Sequence, residues 1–194
     1  EELDLLEGKQ GRSARKAMEI LAALGTIYSA ERMVPVSSAQ IVADCRSRTS
    51  KPLYAKLSPA TWDIAESARA VVAAGADGLS LVNTMRGMAL DPVTLRPRLA
   101  RGTGGYSGPA LKPIALACVS ACARAVDVPI VGMGGVRSGL DALELVAAGA
   151  SVVSLGTVLF ADPTAPGRIR AELLEEATAR GFADPADARG LANS

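Results

Sequence analysis

Two apolar runs, joined by a helix-length segment and each ending in a pair of small residues, dominate residues 128–160 of the sequence. The first run reads Val-Pro-Ile-Val-Gly-Met and ends in Gly134-Gly135, and the second ends in Gly156-Thr157. This pattern is typical of strand, glycine turn, helix, strand and glycine turn. Because bare backbone N–H groups at neighbouring strand ends can approach a phosphate closely, the pattern predicts an anion site.

An internal repeat extends this organisation towards the N-terminus. The sequence Val-Ala-Ala-Gly-Ala occurs at residues 72–76 and again at 146–150, each time between a predicted helix and a predicted strand. Further strands are predicted at residues 52–57 and 78–82, which gives about four parallel strands with helical connections. A closed (β/α)8 barrel needs eight strands in about 250 residues. We therefore expect an α/β fold that forms a partial TIM (β/α)8 barrel, about its last four βα units, with residues 52–57 and 151–155 as open edges.

Composition and charge narrow the classes of function. Hydrophobic residues make up 49% of the chain but aromatic residues only 3%, which suits a parallel α/β core and argues against a base-stacking surface. Lys and Arg total 21 against 20 Asp and Glu, so neither a nucleic acid nor a membrane is an expected partner. The N-terminus begins Glu-Glu-Leu-Asp, unlike a signal peptide. The cytoplasm is the expected location.

The chain contains no histidine, which excludes Ser-His-Asp and Cys-His catalysis and histidine metal ligands. Cys118 and Cys122 lie four residues apart on a predicted helix and hence on one of its faces. No further ligands accompany them, so we expect buried thiols and no metal site. Proton transfer would have to use Cys, Lys, Asp, Glu or Tyr.

Polar residues follow two further predicted strands. Lys56 comes near the end of the first strand, and Asn83-Thr84 follow the second. Since the carboxyl ends of parallel strands meet at one edge of a sheet, we expect these side chains to share a mouth with the two glycine pairs. Lys56 could instead simply extend to the rim, and Asn83 could merely cap a turn. Residues 86–109, rich in Gly and Pro, are expected to form a functional loop.

These residues form a set of motifs that resembles a known family. The motifs are Lys56-Leu-Ser-Pro59, Gly78-Leu-Ser-Leu-Val-Asn-Thr84, Gly87-Met88, Thr103-Gly-Gly-Tyr-Ser-Gly-Pro109, Lys112-Pro-Ile-Ala-Leu116, Gly132-Met-Gly-Gly135 and Gly156-Thr157. From about residue 41 to residue 160, and on towards the terminal helix, the chain resembles the C-terminal half of class 1 dihydroorotate dehydrogenase, and within it the NAD-linked subclass 1B.

The resemblance implies an FMN-dependent oxidoreductase that oxidises dihydroorotate to orotate in de novo pyrimidine (UMP) biosynthesis. It implies that the cofactor is held by Lys56, Val82, Gly108, Gly134, Gly135, Gly156 and Thr157. Among these, Lys56 would contact the flavin ring, and the last four would hold its phosphate. It also implies that Asn83 and Thr84 bind the dihydroorotate or orotate ring, and that a partner subunit carrying FAD and an iron–sulfur cluster passes electrons to NAD.

The chain departs from the family pattern in one catalytic loop. The family carries an Asn-x-Ser-Cys-Pro-Asn loop whose cysteine is the general base, and no such motif occurs here. No catalytic residue is therefore identified, and we expect the activity to be incomplete in this chain. Cys45 and Tyr106 are the only substitute bases worth testing.

The N-terminal residues resemble a different family. Residues 1–41, with Ala-Met-Glu-Ile-Leu-Ala-Ala-Leu-Gly at 17–25, are similar to the N-terminus of the aconitase X large subunit. The expected organisation is thus a helical N-terminal segment over residues 1–41, foreign to the barrel, an FMN-binding half-barrel over 42–183 and a loose tail over 184–194.

Other functions stay open at this point. The chain could be the flavin domain of a dihydropyrimidine dehydrogenase, or a half-barrel that binds phosphate or flavin without catalysis. An aconitase-like dehydratase would need iron–sulfur ligands that the sequence lacks. Since a half-barrel leaves its inner face wet, we also expect a homo-oligomer. The predicted N-terminal helices, with an apolar stripe of Ile20, Leu21 and Leu24, could instead cover one edge and keep the chain monomeric.

Overall fold

A computed structural model of the chain describes residues 37–194, so most of the predicted N-terminal helical segment lies outside the described residues. The helices are α1 (Ser38–Arg46), α2 (Ile64–Ala73), α3 (Lys112–Ala123), α4 (Gly139–Ala147), α5 (Val158–Ala161) and α6 (Ala165–Ala179). The strands are β1 (Tyr54–Leu57), β2 (Gly78–Leu81), β3 (Met85–Gly87), β4 (Gly104–Tyr106), β5 (Ile130–Met133) and β6 (Val152–Ser154). Short 3-10 turns occupy Pro109–Leu111, Pro185–Ala188 and Leu191–Asn193.

Four of the strands form one parallel sheet in the order β1-β2-β5-β6. The sheet does not close, and β1 and β6 are its edges, which confirms the predicted partial α/β barrel with these two strands at its open sides. All four strands run in the same direction, so their carboxyl ends lie along one edge of the sheet. This edge is where ligands bind in barrels of this type.

The two faces of the sheet differ because strand side chains alternate. Ala55 and Leu57 of β1 are buried, as are Leu79 and Leu81 of β2, and these residues belong to the apolar core shared with the helices. Lys56, between the buried residues of β1, is exposed. The opposite face is what a closed barrel would enclose, and here it has no covering layer among the described residues.

The Val-Ala-Ala-Gly-Ala repeat ends two helices in the same way. Gly75 and Gly149 have φ of 104° and 119°, a conformation that favours glycine. The N–H of Ala76 donates to the carbonyl of Val71 at 3.1 Å, and the N–H of Ala150 makes the matching bond at 3.0 Å. Each repeat therefore closes its helix and turns the chain into the next strand, so the sequence repeat is a structural repeat.

Residues 86–109, predicted as an irregular loop, begin and end in a paired hairpin. β3 and β4 pair antiparallel, with Met85 opposite Tyr106. A side chain at Gly105 would place its Cβ 2.5 Å from the Thr84 hydroxyl oxygen, so glycine lets the hairpin close onto Thr84. Strands of three residues rich in glycine have little strand propensity of their own, which explains why the sequence pattern did not reveal them.

The C-terminal residues, expected as a loose tail over residues 184–194, pack onto the end of α4. Ala188 is buried, the N–H of Gly190 donates to the Val146 carbonyl at 3.2 Å, and Asn193 Nδ2 donates to the Ala148 carbonyl at 3.0 Å. Carbonyls at a helix end lack partners within the helix. The tail supplies donors to that end of α4, and this explains the difference from the prediction.

The sequence predicted no membrane partner, no metal site and buried thiols, and residues 37–194 can be compared with each expectation. No helix in residues 37–194 is both long and apolar enough to span a bilayer. Within the same residues, no group of three acidic, cysteine or histidine side chains is placed to hold a metal ion. Burial raises the pKa of Cys122 to about 12 and also raises the pKa of Cys118, so both thiols stay protonated at neutral pH.

Candidate functional site

A cavity of about 560 Å³ lies at the carboxyl ends of the four parallel strands. It contains every site residue predicted from the sequence, namely Lys56, Val82, Asn83, Thr84, Gly108, Gly134, Gly135, Gly156 and Thr157. These residues come from four strand ends and from the turn before α3, which are distant in sequence. The parallel sheet brings them together, as the strand order predicts.

The first glycine pair forms the turn after β5. Gly134 and Gly135 have φ of 128° and 79°, which favours glycine at both positions. A Cβ at Gly135 would lie 2.8 Å from the backbone nitrogen of Lys112 and 2.9 Å from the carbonyl oxygen of Gly108. The loop therefore packs directly against the start of α3, and a side chain at Gly135 would disrupt the fold as well as the cavity.

The second glycine lies in a more open part of the cavity. A Cβ at Gly156 would meet no atom within 4 Å. The hydroxyl of the next residue, Thr157, donates to the hydroxyl oxygen of Ser107 at 3.0 Å and so links the turn after β6 to the segment after β4. Glycine at 156 therefore leaves space in the cavity where any other residue would place a side chain.

Backbone donors around the two glycine turns lack protein partners. The N–H groups of Gly135, Val136, Gly156 and Thr157 donate to no other group within residues 37–194. Val136 is buried and the other three residues lie at the cavity wall. Free N–H groups in the wall of one cavity suit an anion with several oxygens, such as a phosphate.

Lys56, Asn83 and Thr84 form the polar side of the cavity, and all three are exposed. The ammonium group of Lys56 makes no salt bridge with the described residues, so its charge faces the solvent-filled cavity. The backbone N–H of Asn83 donates to the Leu57 carbonyl at 2.9 Å, which fixes the end of β2 beside the end of β1. These three residues thus offer a cation, an amide and a hydroxyl beside the glycine turns.

A family model described as dihydroorotate dehydrogenase matches residues 29–176. The chain belongs to the dihydroorotate dehydrogenase family. The match starts at residue 29, inside the segment over residues 1–41 that was predicted to be foreign to the barrel. The similarity of residues 1–41 to aconitase X remains a prediction.

Curated relatives are catalytic subunits of dihydroorotate dehydrogenase B (NAD(+)). The chain is 49% identical to that of Trichlorobacter lovleyi over 150 residues, which covers 77% of this chain and 49% of the relative. It is 50% identical to that of Geobacter sulfurreducens over the same length and with the same coverage. The chain therefore spans about half the length of the curated relatives it matches.

A solved structure of the family shares the fold. The DHODH of Eimeria tenella, determined in complex with ferulenol, superposes with a TM-score of 0.62 at 33% identity. The match covers 73% of this chain and 38% of that protein. The partial barrel seen here therefore corresponds to part of a dihydroorotate dehydrogenase barrel.

Sequence reasoning missed one cluster behind the glycine loop of this dihydroorotate dehydrogenase homologue. Lys112 Nζ donates to Asp141 Oδ1 at 2.7 Å and to Glu144 Oε2 at 2.6 Å. Asp141 is 6% exposed and forms a capping box with Ser138 at the start of α4. The spacing Ser-x-x-Asp before an apolar run could have revealed the cap, but no sequence pattern pairs Lys112 with Asp141.

The Asp141 carboxylate is held in its charged form. Burial opposes ionisation, but hydrogen bonds from Lys112, from the Arg137 N–H and from Ser138 outweigh burial and keep the pKa of Asp141 below its usual value. The same two carboxylate contacts, from Asp141 and then Glu144, raise the pKa of Lys112. The pair is therefore fully charged at neutral pH.

Replacing this carboxylate is expected to lower stability in a pH-dependent way. Asp141→Asn should lower the free energy of unfolding at neutral pH by about 1–3 kcal/mol, because a charge-assisted contact in a buried site is lost. The folded-state pKa lies below the unfolded value near 3.8, so the contribution is present above that value and disappears as pH falls through the folded pKa. Urea unfolding of parent and variant should therefore converge in acid.

The surface pair of Arg180 and Glu176, both partly exposed, provides the control for this measurement. Glu176→Gln should change stability by no more than about 0.5 kcal/mol. An equal loss for Asp141→Asn at neutral and at acid pH would show that the carboxylate charge is not responsible.

Proposed function

We propose that this chain carries the FMN and substrate sites of an NAD-linked dihydroorotate dehydrogenase catalytic subunit, which oxidises dihydroorotate to orotate in pyrimidine biosynthesis. The observation that carries the proposal is the convergence of all the predicted cofactor and substrate residues on one cavity. The names of the curated relatives support the same activity. On this reading, residues 42–183 are the FMN-binding part of the chain.

The cavity fits the phosphate of FMN. Four N–H groups at the two glycine turns have no partner within residues 37–194, and Gly156 leaves space that a Cβ would fill. Gly134, Gly135, Gly156 and Thr157 would hold the phosphate there. Val82, which is buried, and Gly108 would lie against the flavin ring.

The polar side of the cavity suits the ring of FMN and a carboxylated pyrimidine. When bound, FMN supplies a hydride acceptor for the C6 position of dihydroorotate. Lys56 would hold a positive charge at the flavin ring, where electron density increases on reduction. Asn83 and Thr84 offer an amide and a hydroxyl that can orient the ring and its carboxylate by hydrogen bonds.

A second candidate is a half-barrel that binds FMN or another phosphate ligand without catalysis. It is favoured by the open sheet, which leaves one side of the cavity without a wall, and by the missing cysteine loop. A flavin domain of the dihydropyrimidine dehydrogenase type would use the same phosphate turns. Titration of the FMN-loaded chain with orotate separates these candidates, because only the first proposal requires a site for a carboxylated pyrimidine.

The wider assembly also belongs to the proposal. The names of the relatives specify NAD(+) and a catalytic subunit, which supports an electron-transfer subunit with FAD and an iron–sulfur cluster as partner. We place the protein in the cytoplasm, and its three free cysteines are compatible with a reducing compartment.

Gly156→Leu tests the phosphate site directly. The backbone there is outside the left-handed region and a Cβ meets no neighbour, so the leucine should fold normally while it fills the phosphate space. We expect FMN affinity to fall by about 10–100-fold, because two charge-assisted hydrogen bonds are blocked. Gly135→Leu is a poor test because its side chain would collide with the Lys112 backbone.

The matched control for Gly156→Leu is Gly167→Leu. Gly167 lies in α6, outside the cavity, and a Cβ there also meets no atom within 4 Å. This control should bind FMN like the parent in a fluorescence-quenching titration. Equal FMN affinity for all three proteins would exclude these turns as the phosphate site.

A further inference from the structure

Asp141 sits directly behind the first glycine loop, and both of its oxygens are engaged. Oδ2 accepts from the backbone N–H of Arg137 at 2.9 Å and from that of Ser138 at 3.1 Å. Oδ1 accepts from Lys112 Nζ at 2.7 Å. The carboxylate is therefore a buried anchor that joins the loop after β5 to the first residue of α3.

This anchor divides the backbone donors of the loop into two sets. The N–H groups of Arg137 and Ser138 point to Asp141 and are unavailable to a ligand. Those of Gly135 and Val136, immediately upstream, have no partner among the described residues. The upstream N–H groups can turn relative to the anchored pair only through φ and ψ of the intervening residues. Val136 is buried, so the anchor restricts the directions that these N–H groups can take.

Lys112 holds the loop from a second direction and balances its charge. Its backbone nitrogen lies 2.8 Å from the position that a Cβ of Gly135 would take, so the start of α3 packs against the loop. Its side chain neutralises Asp141, which would otherwise set a buried negative charge behind an anion site. Glu144 forms a second salt bridge with the Lys112 ammonium group, and its side chain is more exposed than that of Asp141.

We propose that Asp141, paired with Lys112, is a positioning residue that directs the free N–H groups of the glycine loop at a phosphate. The inference rests on the proposed FMN site, but it concerns the phosphate end alone. Asp141 does not line the cavity. Its effect should therefore appear in phosphate recognition and be absent from recognition of the flavin ring.

The test measures phosphate recognition with and without flavin. Amide chemical shifts of the full chain are followed by NMR during titration with inorganic phosphate, and FMN and riboflavin affinities are measured by fluorescence. Asp141→Asn should weaken inorganic phosphate and FMN binding about tenfold and leave riboflavin binding unchanged. A merely structural role would weaken FMN and riboflavin together.

Glu172→Gln is the matched control, because Glu172 Oε2 also accepts a backbone N–H at the start of α4, from Gly139 at 2.7 Å. That amide lies downstream of the glycine loop, so phosphate and FMN affinity should stay at parent values. Lys112→Gln is a second variant in case Asp141→Asn does not fold. Lys112→Gln keeps the Asp141 carboxylate but removes the positive charge beside it. The unbalanced negative charge should repel phosphate and weaken its binding, most strongly at low salt, where charges are screened least.

The outcomes separate this inference from the proposed function. If the parent binds inorganic phosphate at Gly135 and Val136 but not FMN, the flavin proposal fails while the positioning role can still be confirmed by the variants. If the parent binds FMN and Asp141→Asn and Lys112→Gln bind it equally well, the positioning role is wrong and the flavin site stands. If the parent binds neither inorganic phosphate nor FMN, both the positioning role and the flavin proposal are wrong.

Discussion

Mixing the FMN-loaded chain with dihydroorotate in a stopped-flow spectrometer is expected to leave the visible flavin absorbance almost unchanged on the enzymatic timescale. A positioned general base typically contributes about 10²–10⁴-fold to a rate. The cysteine loop that supplies this base in the family is not in the sequence. Within residues 37–194, the open sheet also leaves one side of the cavity without a wall. We therefore expect flavin reduction to be slower than in a full-length relative by at least about 10²-fold.

The structure gives no support to a substitute base among the two candidates from the sequence. Cys45 lies on α1 and Tyr106 on β4, and neither lines the cavity. Tyr106 is 48% exposed on the hairpin. Cys45→Ser and Tyr106→Phe should thus leave the slow rate unchanged. Rapid bleaching by the parent chain, abolished by one of these substitutions, would contradict this assignment and identify the base.

The two glycine turns of the cavity were predictable because their signals are local. Each of the two turns follows an apolar run. Gly134 has a positive φ that favours glycine, and Gly156 leaves open a space that a side chain would fill. Such constraints act within a few residues of the chain. A sequence pattern can therefore reveal them without knowledge of the tertiary packing.

The contact between Lys112 and Asp141 behind the site was not predictable, because its signals are not local in the sequence. Lys112 and Asp141 are 29 residues apart in sequence, and their contact depends on how α3 and α4 pack on the sheet. The tail was misjudged in a similar way, since Asn193 bonds to α4 at a separation of 45 residues. Polar residues near a chain end resemble a solvated tail until their partners are known.

The second large effect concerns self-association through the open sheet. The edge strands β1 and β6 run parallel and expose unpaired backbone groups, which are ready to pair with another strand. A two-fold axis along the barrel axis would place β6 of one copy beside β1 of the other, twice, and so make eight strands. The same arrangement would bury the uncovered face of both sheets. We propose that the full chain forms this dimer at micromolar concentration.

Val152→Lys is expected to abolish the dimer. Val152 is 56% exposed on β6, and its position at the edge would become an interior position between two sheets. Burying an unpaired ammonium group costs several kcal/mol, so we expect the dissociation constant to rise by at least about 100-fold. Leu174→Lys on α6, where the leucine is 50% exposed, is the matched control and should leave the dimer intact. Light scattering distinguishes the results, and a folded monomer for the parent chain would refute edge pairing, because a free β6 edge would then be stable in water on its own.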